Sequence, residues 1–122
     1  MDWRVEFHRD FVPKFRALAE LVQDEIAAPV EKMRVMGPTM KRPASDTLDG
    51  SRFSNMKELR FEANNGVWRV AYAFDPARKA ILLVAGDKAG VSQKRFYRSL
   101  IRKADERFAE HLKELERMRK KK

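Results

Sequence analysis

Four charged side chains, Glu58, Arg60, Glu62 and Arg69, lie in two neighbouring segments that alternate apolar and polar residues. A carboxylate can take a proton as a general base, and a guanidinium stays charged at every working pH and binds phosphate oxygens through paired hydrogen bonds. These residue types could therefore carry out acid–base chemistry on an anionic substrate, provided that the fold gathers them on one surface.

The sequence Asn64-Asn65-Gly66 between the two segments predicts a β-hairpin, because Asn and Gly accept the positive φ of a primed turn. With a two-residue loop, paired residues have numbers that sum to about 129 or 131, and both registers place the four charged residues on one face. The opposite face then carries Leu59, Phe61, Trp68, Val70, Tyr72 and Phe74. A three-residue loop with a bulge would shift this pairing.

Salt bridges within the charged face are the simpler interpretation of these residues. Glu62 would pair with Arg69 and Arg60 with Glu58 across a solvated surface, each pair contributing about a few tenths of a kcal/mol. On the hairpin alone we favour that interpretation over an active site.

A strand and two helices are predicted ahead of the hairpin. Alternation over residues 3–7 indicates a short strand, and Asp10 is a plausible N-cap for an amphipathic helix that reaches Ile26. Pro29 is predicted to break or kink that helix, which leaves a second short helix ending at Met36.

The remaining elements complete an α+β fold. Residues 37–55 are predicted to form a long loop, residues 80–85 a continuous apolar strand covered on both faces, and Ser92 the cap of a final helix. The expected architecture is a small antiparallel sheet, in the order strand, two helices, three-stranded meander and C-terminal helix, with the helices packed on one face.

Positive charge is concentrated in the second part of the chain. The 122 residues carry a formal net charge of +9, to which residues 1–50 contribute −1 and residues 51–122 contribute +10. We expect a single domain over residues 1–116 and a basic C-terminal tail over residues 117–122. A cationic surface of this kind favours a polyanion or an acidic protein as partner.

Several classes of protein are excluded by composition. The chain has no cysteine, and its two histidines, His8 and His111, lack the spacing of metal ligands, so we expect no metal site. No glycine-rich phosphate loop, export signal or membrane span is recognisable, which predicts a cytoplasmic location.

Short motifs follow one another along the chain in an order that resembles a known family. They are Gly37-Pro38, Lys41-Arg42-Pro43, Ser51-Arg52-Phe53, Asn55-Met56-Lys57-Glu58-Leu59-Arg60, Trp68-Arg69-Val70-Ala71-Tyr72-Ala73-Phe74-Asp75, Ala80-Ile81-Leu82-Leu83 and Gly86-Asp87-Lys88. As a set they resemble the HigB-type branch of the RelE/ParE toxin superfamily, over roughly residues 1–112, and the predicted order of elements is the order of that fold.

The resemblance implies a toxin of a type II toxin–antitoxin system. Such a toxin is a metal-independent endoribonuclease that cuts messenger RNA, usually in the ribosomal A site, and so inhibits translation and growth. In RelE-like enzymes the 2′-hydroxyl attacks the adjacent phosphodiester. The implied partners are messenger RNA, the ribosome and a HigA-like helix-turn-helix antitoxin, and no cofactor is implied.

The resemblance also implies roles for four catalytic candidates. Arg69 falls on the family's phosphate-clamping arginine, and Arg60 and Lys88 are cations that would stabilise the developing charge, Lys88 being also a possible acid. Glu58, where RelE itself has a basic residue, is either the general base or a salt-bridge partner.

Two further residues are candidates for RNA binding. Tyr97 matches an aromatic residue of the family that can stack on a base, although it could equally pack beside Phe96. Lys57 shares the parity of the apolar face, from which its long side chain could extend into solvent.

Two other functions remain open at this stage. A ParE-like toxin would inhibit DNA gyrase without cutting RNA, and a non-catalytic RNA-binding domain could keep the same fold.

Overall fold

The computed structural model describes residues 2–121, within which there are five strands and three α-helices. The strands are β1 (Arg4–Phe7), β2 (Ser45–Thr47), β3 (Lys57–Ala63), β4 (Gly66–Phe74) and β5 (Lys79–Asp87). The helices are α1 (Val12–Arg16), α2 (Glu20–Met36) and α3 (Gln93–Lys120), and a single 3-10 turn covers Gly37–Thr39. The predicted α+β class and the order of its main elements are confirmed.

The strands form one mixed sheet in the order β1-β5-β4-β3-β2. β1 lies parallel to β5, with Val5 beside Ala80 and Phe7 beside Leu82. The expectation of a wholly antiparallel sheet is therefore wrong. Short turns force sequential strands to be antiparallel, but β1 and β5 are far apart in the chain and no such turn joins them.

The strand β2 lies in the segment that the sequence predicted to be loop. It pairs antiparallel with β3, where Ser45 faces Leu59. The Ser45 hydroxyl is buried and shares a 2.6 Å hydrogen bond with the hydroxyl of Tyr72. Three residues carry too little apolar periodicity to be recognised as a strand.

Helices cover both faces of the sheet, which corrects the expectation that they pack on one. On one face α1 and α2 pack against the larger side chains of the hairpin, such as Leu59 and Val70. On the other face α3 packs against Ala71 and Ala73 of β4 and against Ile81, Leu83 and Val84 of β5. Because the alanine side chains on that face of β4 are small, α3 can pack close to the sheet.

The β3–β4 hairpin has the predicted two-residue turn. Asn64 and Asn65 have φ values of 51° and 62°, as a type I′ turn requires. Arg60 pairs with Arg69, so the register is the one in which the numbers of paired residues sum to 129.

The first helical segment breaks earlier than predicted. α1 ends at Arg16, whereas α2 runs through Pro29 to Met36. The side-chain amide of Gln23 donates to the carbonyls of Leu18 and Arg16, so these carbonyl groups near the end of α1 have hydrogen-bond partners. Buried residues on both sides of Pro29 keep α2 continuous despite the hydrogen bond that proline removes.

Of the two predicted N-caps, the one for α3 is present and the one for α1 is not. Asp10 does not cap α1, because its own amide donates to Nδ1 of His8. Ser92 caps α3 as predicted and accepts a hydrogen bond from the amide of Arg95 at 3.3 Å.

The basic residues at the C-terminus continue this helix as far as Lys120. In the part of the chain described here, none of the helices is both long enough and apolar enough to cross a membrane.

Truncating Met33 should be far more costly than truncating Met36, although both lie in α2. Met33 is fully buried, whereas Met36 is 37% exposed. We expect Met33→Ala to lower the free energy of unfolding by about 2–5 kcal/mol and Met36→Ala by less than about 0.5 kcal/mol, measured by urea denaturation. Equal losses would contradict the packing of α2 on the sheet.

Candidate active-site groove

Three of the predicted site residues meet on the face of the hairpin that α3 covers. Arg60 on β3 and Arg69 on β4 are direct cross-strand neighbours, and Glu58 lies two residues before Arg60 on the same face. Two guanidiniums placed side by side repel each other, so the carboxylate of Glu58 is the group that makes this arrangement stable.

Glu58 lies at the centre of the cluster and is buried, with 4% of its surface exposed. Its Oε2 accepts a hydrogen bond from Nη1 of Arg60 at 3.0 Å. Its Oε1 accepts a hydrogen bond from the hydroxyl of Tyr97 at 2.9 Å and lies 3.7 Å from Nε of Arg69. A buried carboxylate needs such partners, because an unpaired one would be expensive to desolvate.

Arg69 is more enclosed than a surface phosphate clamp would be. Its side chain is 7% exposed, against 28% for Arg60. Its Nη1 donates to the carbonyl of Trp68 at 2.8 Å and its Nε to the hydroxyl of Tyr97 at 3.1 Å. Arg60 is therefore the guanidinium that an incoming anion reaches first.

Tyr97 connects α3 to the two strands through its hydroxyl. It accepts from Arg69 and donates to Glu58, while its ring packs edge-on against Phe96 at 5.2 Å. Burial raises the pKa of Tyr97, and the hydrogen bond to Glu58 adds to this, whereas the hydrogen bond from Arg69 lowers it. The packing of Tyr97 beside Phe96 is thus present, stacking of its ring on a base stays a prediction, and neither interpretation foresaw the role of its hydroxyl.

A groove of about 580 Å³ lies above this cluster, large enough for a nucleotide. Besides Glu58, Arg60 and Tyr97 it is lined by residues that the sequence did not single out, Arg42, Asp46, Thr47, Leu48, Asp49, Gln93 and Lys94. Most come from the segment 37–55, whose length was the one signal that pointed to it.

Charges on the outer wall of the groove are partly paired. Nη2 of Arg42 lies 2.7 Å from Asp46, and this contact with Arg42, followed by the hydrogen bond from the Thr47 amide, lowers the pKa of Asp46. No ion pair joins Asp49 or Lys94 to another residue in the range 2–121.

Lys88 and Lys57 are not brought into the groove. Lys88 directly follows β5, its amide bonds to the carbonyl of Val67, and it is not among the lining residues. Lys57 pairs with Tyr72 and Thr47, which places it on the face opposite to Glu58. Glu62 is exposed, and Arg69 faces Glu58 rather than Glu62, so only the Arg60–Glu58 pair of the simpler interpretation is present.

Both histidines lie away from the groove. His111 bonds to the buried carboxylate of Asp75 at 2.7 Å, and burial lowers the pKa of His8. His8, Asp10 and Glu110 are close enough to surround a cation. Nδ1 of His8 accepts a hydrogen bond from the amide of Asp10 and Nε2 lies 3.4 Å from Glu110, so both ring nitrogens already face protein groups.

The chain has the fold of the RelE toxins. A mutant of Escherichia coli RelE in the free state matches it with a TM-score of 0.60 and 12% identity, over 83% of this chain and 95% of that one. The archaeal RelE–RelB complex from Pyrococcus horikoshii gives a TM-score of 0.52 and 16% identity, over 75% of this chain and 100% of that one.

Sequence comparison assigns the chain to a family among the proteins that share this fold. Residues 13–109 match the family described as "Phage derived protein Gp49-like (DUF891)". "Putative toxin HigB3" of Mycobacterium tuberculosis is 44% identical over 76% of this chain and 79% of its own length. "Putative toxin HigB2" of the same organism is 46% identical over 75% of this chain, which spans only 45% of that protein. The chain belongs to the Gp49-like family, a HigB-type branch of the RelE superfamily.

The ionisation of Tyr97 should report directly on its partners. The chain has two tyrosines, so in a Tyr72→Phe background the tyrosinate absorbance follows Tyr97 alone. We expect ionisation above the ordinary tyrosine pKa of about 10, and a lower pKa in Glu58→Gln, because the charge that opposes the phenolate is removed. Since the folded-state pKa is raised, the stability contributed by Tyr97 is complete below pH 10 and falls at higher pH. An unshifted pKa of Tyr97 would contradict its burial, and an unchanged pKa in Glu58→Gln would contradict the hydrogen bond to Glu58.

Proposed function

We propose that this protein is the toxin of a type II toxin–antitoxin system and acts as a metal-independent endoribonuclease on messenger RNA at the ribosome. The observation that carries the proposal is the buried carboxylate of Glu58, held beneath an open groove by Arg60, Arg69 and Tyr97. Membership of the HigB-type family supports the toxin function.

Glu58 is the general base in this proposal. Its Oε1 is held by Tyr97, whereas its Oε2 is bonded to Arg60, the more exposed guanidinium. When the phosphate of the RNA draws Arg60 away, Oε2 becomes free to take the proton of the 2′-hydroxyl. A bond then forms between the 2′-oxygen and phosphorus, the bond to the 5′-oxygen breaks, and a 2′,3′-cyclic phosphate remains.

The cations have separate roles. Arg60 binds the phosphate and stabilises its developing charge, because it is the guanidinium with access to the groove. Arg69 acts mainly as a positioning residue that orients Glu58 and Tyr97, rather than as the principal phosphate clamp. Lys94 lines the groove and supplies a proton to the leaving 5′-oxygen, a role for which Lys88 is less well placed.

The partners of this chain follow from its relatives. One RelE of the same fold was solved as a complex with RelB. We propose that a HigA-like antitoxin with a helix-turn-helix domain holds this toxin inactive in a similar way.

Inducible expression of the chain alone distinguishes the possible functions. We expect growth arrest, stopped translation and new transcript ends inside codons that carry cyclic phosphates, all relieved by co-expression of the antitoxin. DNA damage with intact transcripts would instead indicate inhibition of gyrase, and harmless expression would indicate a non-catalytic RNA-binding domain.

Substitutions in the groove should abolish cleavage without unfolding the protein. We expect Arg60→Gln and Glu58→Gln each to slow cleavage of ribosome-bound messenger RNA by about 100-fold or more. Arg16→Gln is the matched control, because Arg16 is exposed on the other side of the sheet. Cleavage should also persist in the presence of a chelator. Full activity of Arg60→Gln would exclude Arg60 from the chemistry.

A further inference from the structure

The second half of β5 forms an open edge of the sheet. The edge strand β1 covers β5 only from Lys79 to Leu82, and the chain leaves the sheet after His8, whose amide bonds to the carbonyl of Leu82. Beyond this point no strand of the described residues lies beside β5.

The backbone of this edge carries hydrogen-bonding groups that point away from β4. Ladder bonds in an antiparallel pair alternate along each strand. The amide of Lys88 bonds to Val67 of β4, so Gly86 also faces β4, whereas Ala85 and Asp87 direct their amides and carbonyls away from it. Within residues 2–121, no strand pairs with Ala85 or Asp87 on this side, and no backbone hydrogen bond outside the sheet involves their amides or carbonyls.

An apolar cavity of about 340 Å³ lies beside the open edge. Phe96 and Leu100 of α3 line it together with Val84, and Val91 at its mouth is 41% exposed. Such a cavity can hold alternate side chains of a strand that is added to the sheet.

Positive charge follows the same side of α3. Arg95 and Lys103 are exposed and line the cavity, and among the described residues neither is joined to a carboxylate. Arg107, one turn further along, donates to the carbonyl of Leu83 at 2.7 Å and so marks the beginning of the free edge.

We propose that this surface binds an extended acidic segment of a partner protein, which adds a strand to β5. The free amides and carbonyls supply main-chain hydrogen bonds, the cavity takes apolar side chains, and Arg95 and Lys103 select acidic ones. A polyanion such as RNA would match the charges, but it could not use the unpaired peptide groups. The surface lies on the other side of α3 from the groove and does not depend on the proposed activity.

A synthetic peptide of about eight residues that alternates valine and glutamate tests the proposal. We expect it to bind and to protect the amides of Ala85 and Asp87 from hydrogen exchange. The same peptide with its backbone N-methylated, or with lysine in place of glutamate, should bind at least about tenfold more weakly. No binding up to about 1 mM, or equal binding of all three peptides, would overturn the proposal.

Variants of the protein provide the complementary test. Ala85→Pro removes the outward amide without removing a bond to β4, and Arg95→Glu with Lys103→Glu reverses the selecting charges. Each variant should bind the valine–glutamate peptide at least about tenfold more weakly. Arg102→Glu with Lys113→Glu changes the net charge equally on the exposed side of α3 and should have little effect. Equal weakening by both charge reversals, or equally tight competition by an RNA oligonucleotide, would rule out a specific peptide site.

Discussion

The arrangement of the groove depends on one nearly buried carboxylate. Glu58 contacts Arg60 on its own strand, Arg69 of β4 and Tyr97 of α3, so it connects the hairpin to the helix through polar contacts. A charge in this position is stabilised by its partners, and because Glu58 has three of them it stays paired when Arg60 is displaced or replaced. The same group therefore contributes to both the fold and the proposed chemistry.

This dual role explains why the two arginines are not equivalent. Arg69 is enclosed and makes hydrogen bonds to the backbone and to a phenol, so its guanidinium is fixed before any ligand arrives. Within residues 2–121, Arg60 has one side-chain partner, Glu58, and it remains partly exposed. A fixed inner cation and a more accessible outer one suit a site that must hold a base in place and still admit a phosphate.

The hairpin and its charged face could be predicted from the sequence because their determinants are local. Asn64 and Asn65 specify the turn, and the turn fixes which residues face each other. The break after Arg16 could not be predicted, because it depends on the side chain of Gln23 and on packing that keeps α2 straight through Pro29. The Tyr97–Glu58 contact joins residues 39 apart in sequence, and no periodicity encodes such a distance.

The length of α3 limits what the C-terminal charges can do. From Tyr97 to Arg119 the helix rises about 33 Å, at about 1.5 Å per residue. This separation is roughly four times the Debye length of about 8 Å at physiological salt, so the terminal cations barely change the electrostatic potential at the groove. They act on an anion only where they touch it, and a ligand long enough to reach both regions would gain from both.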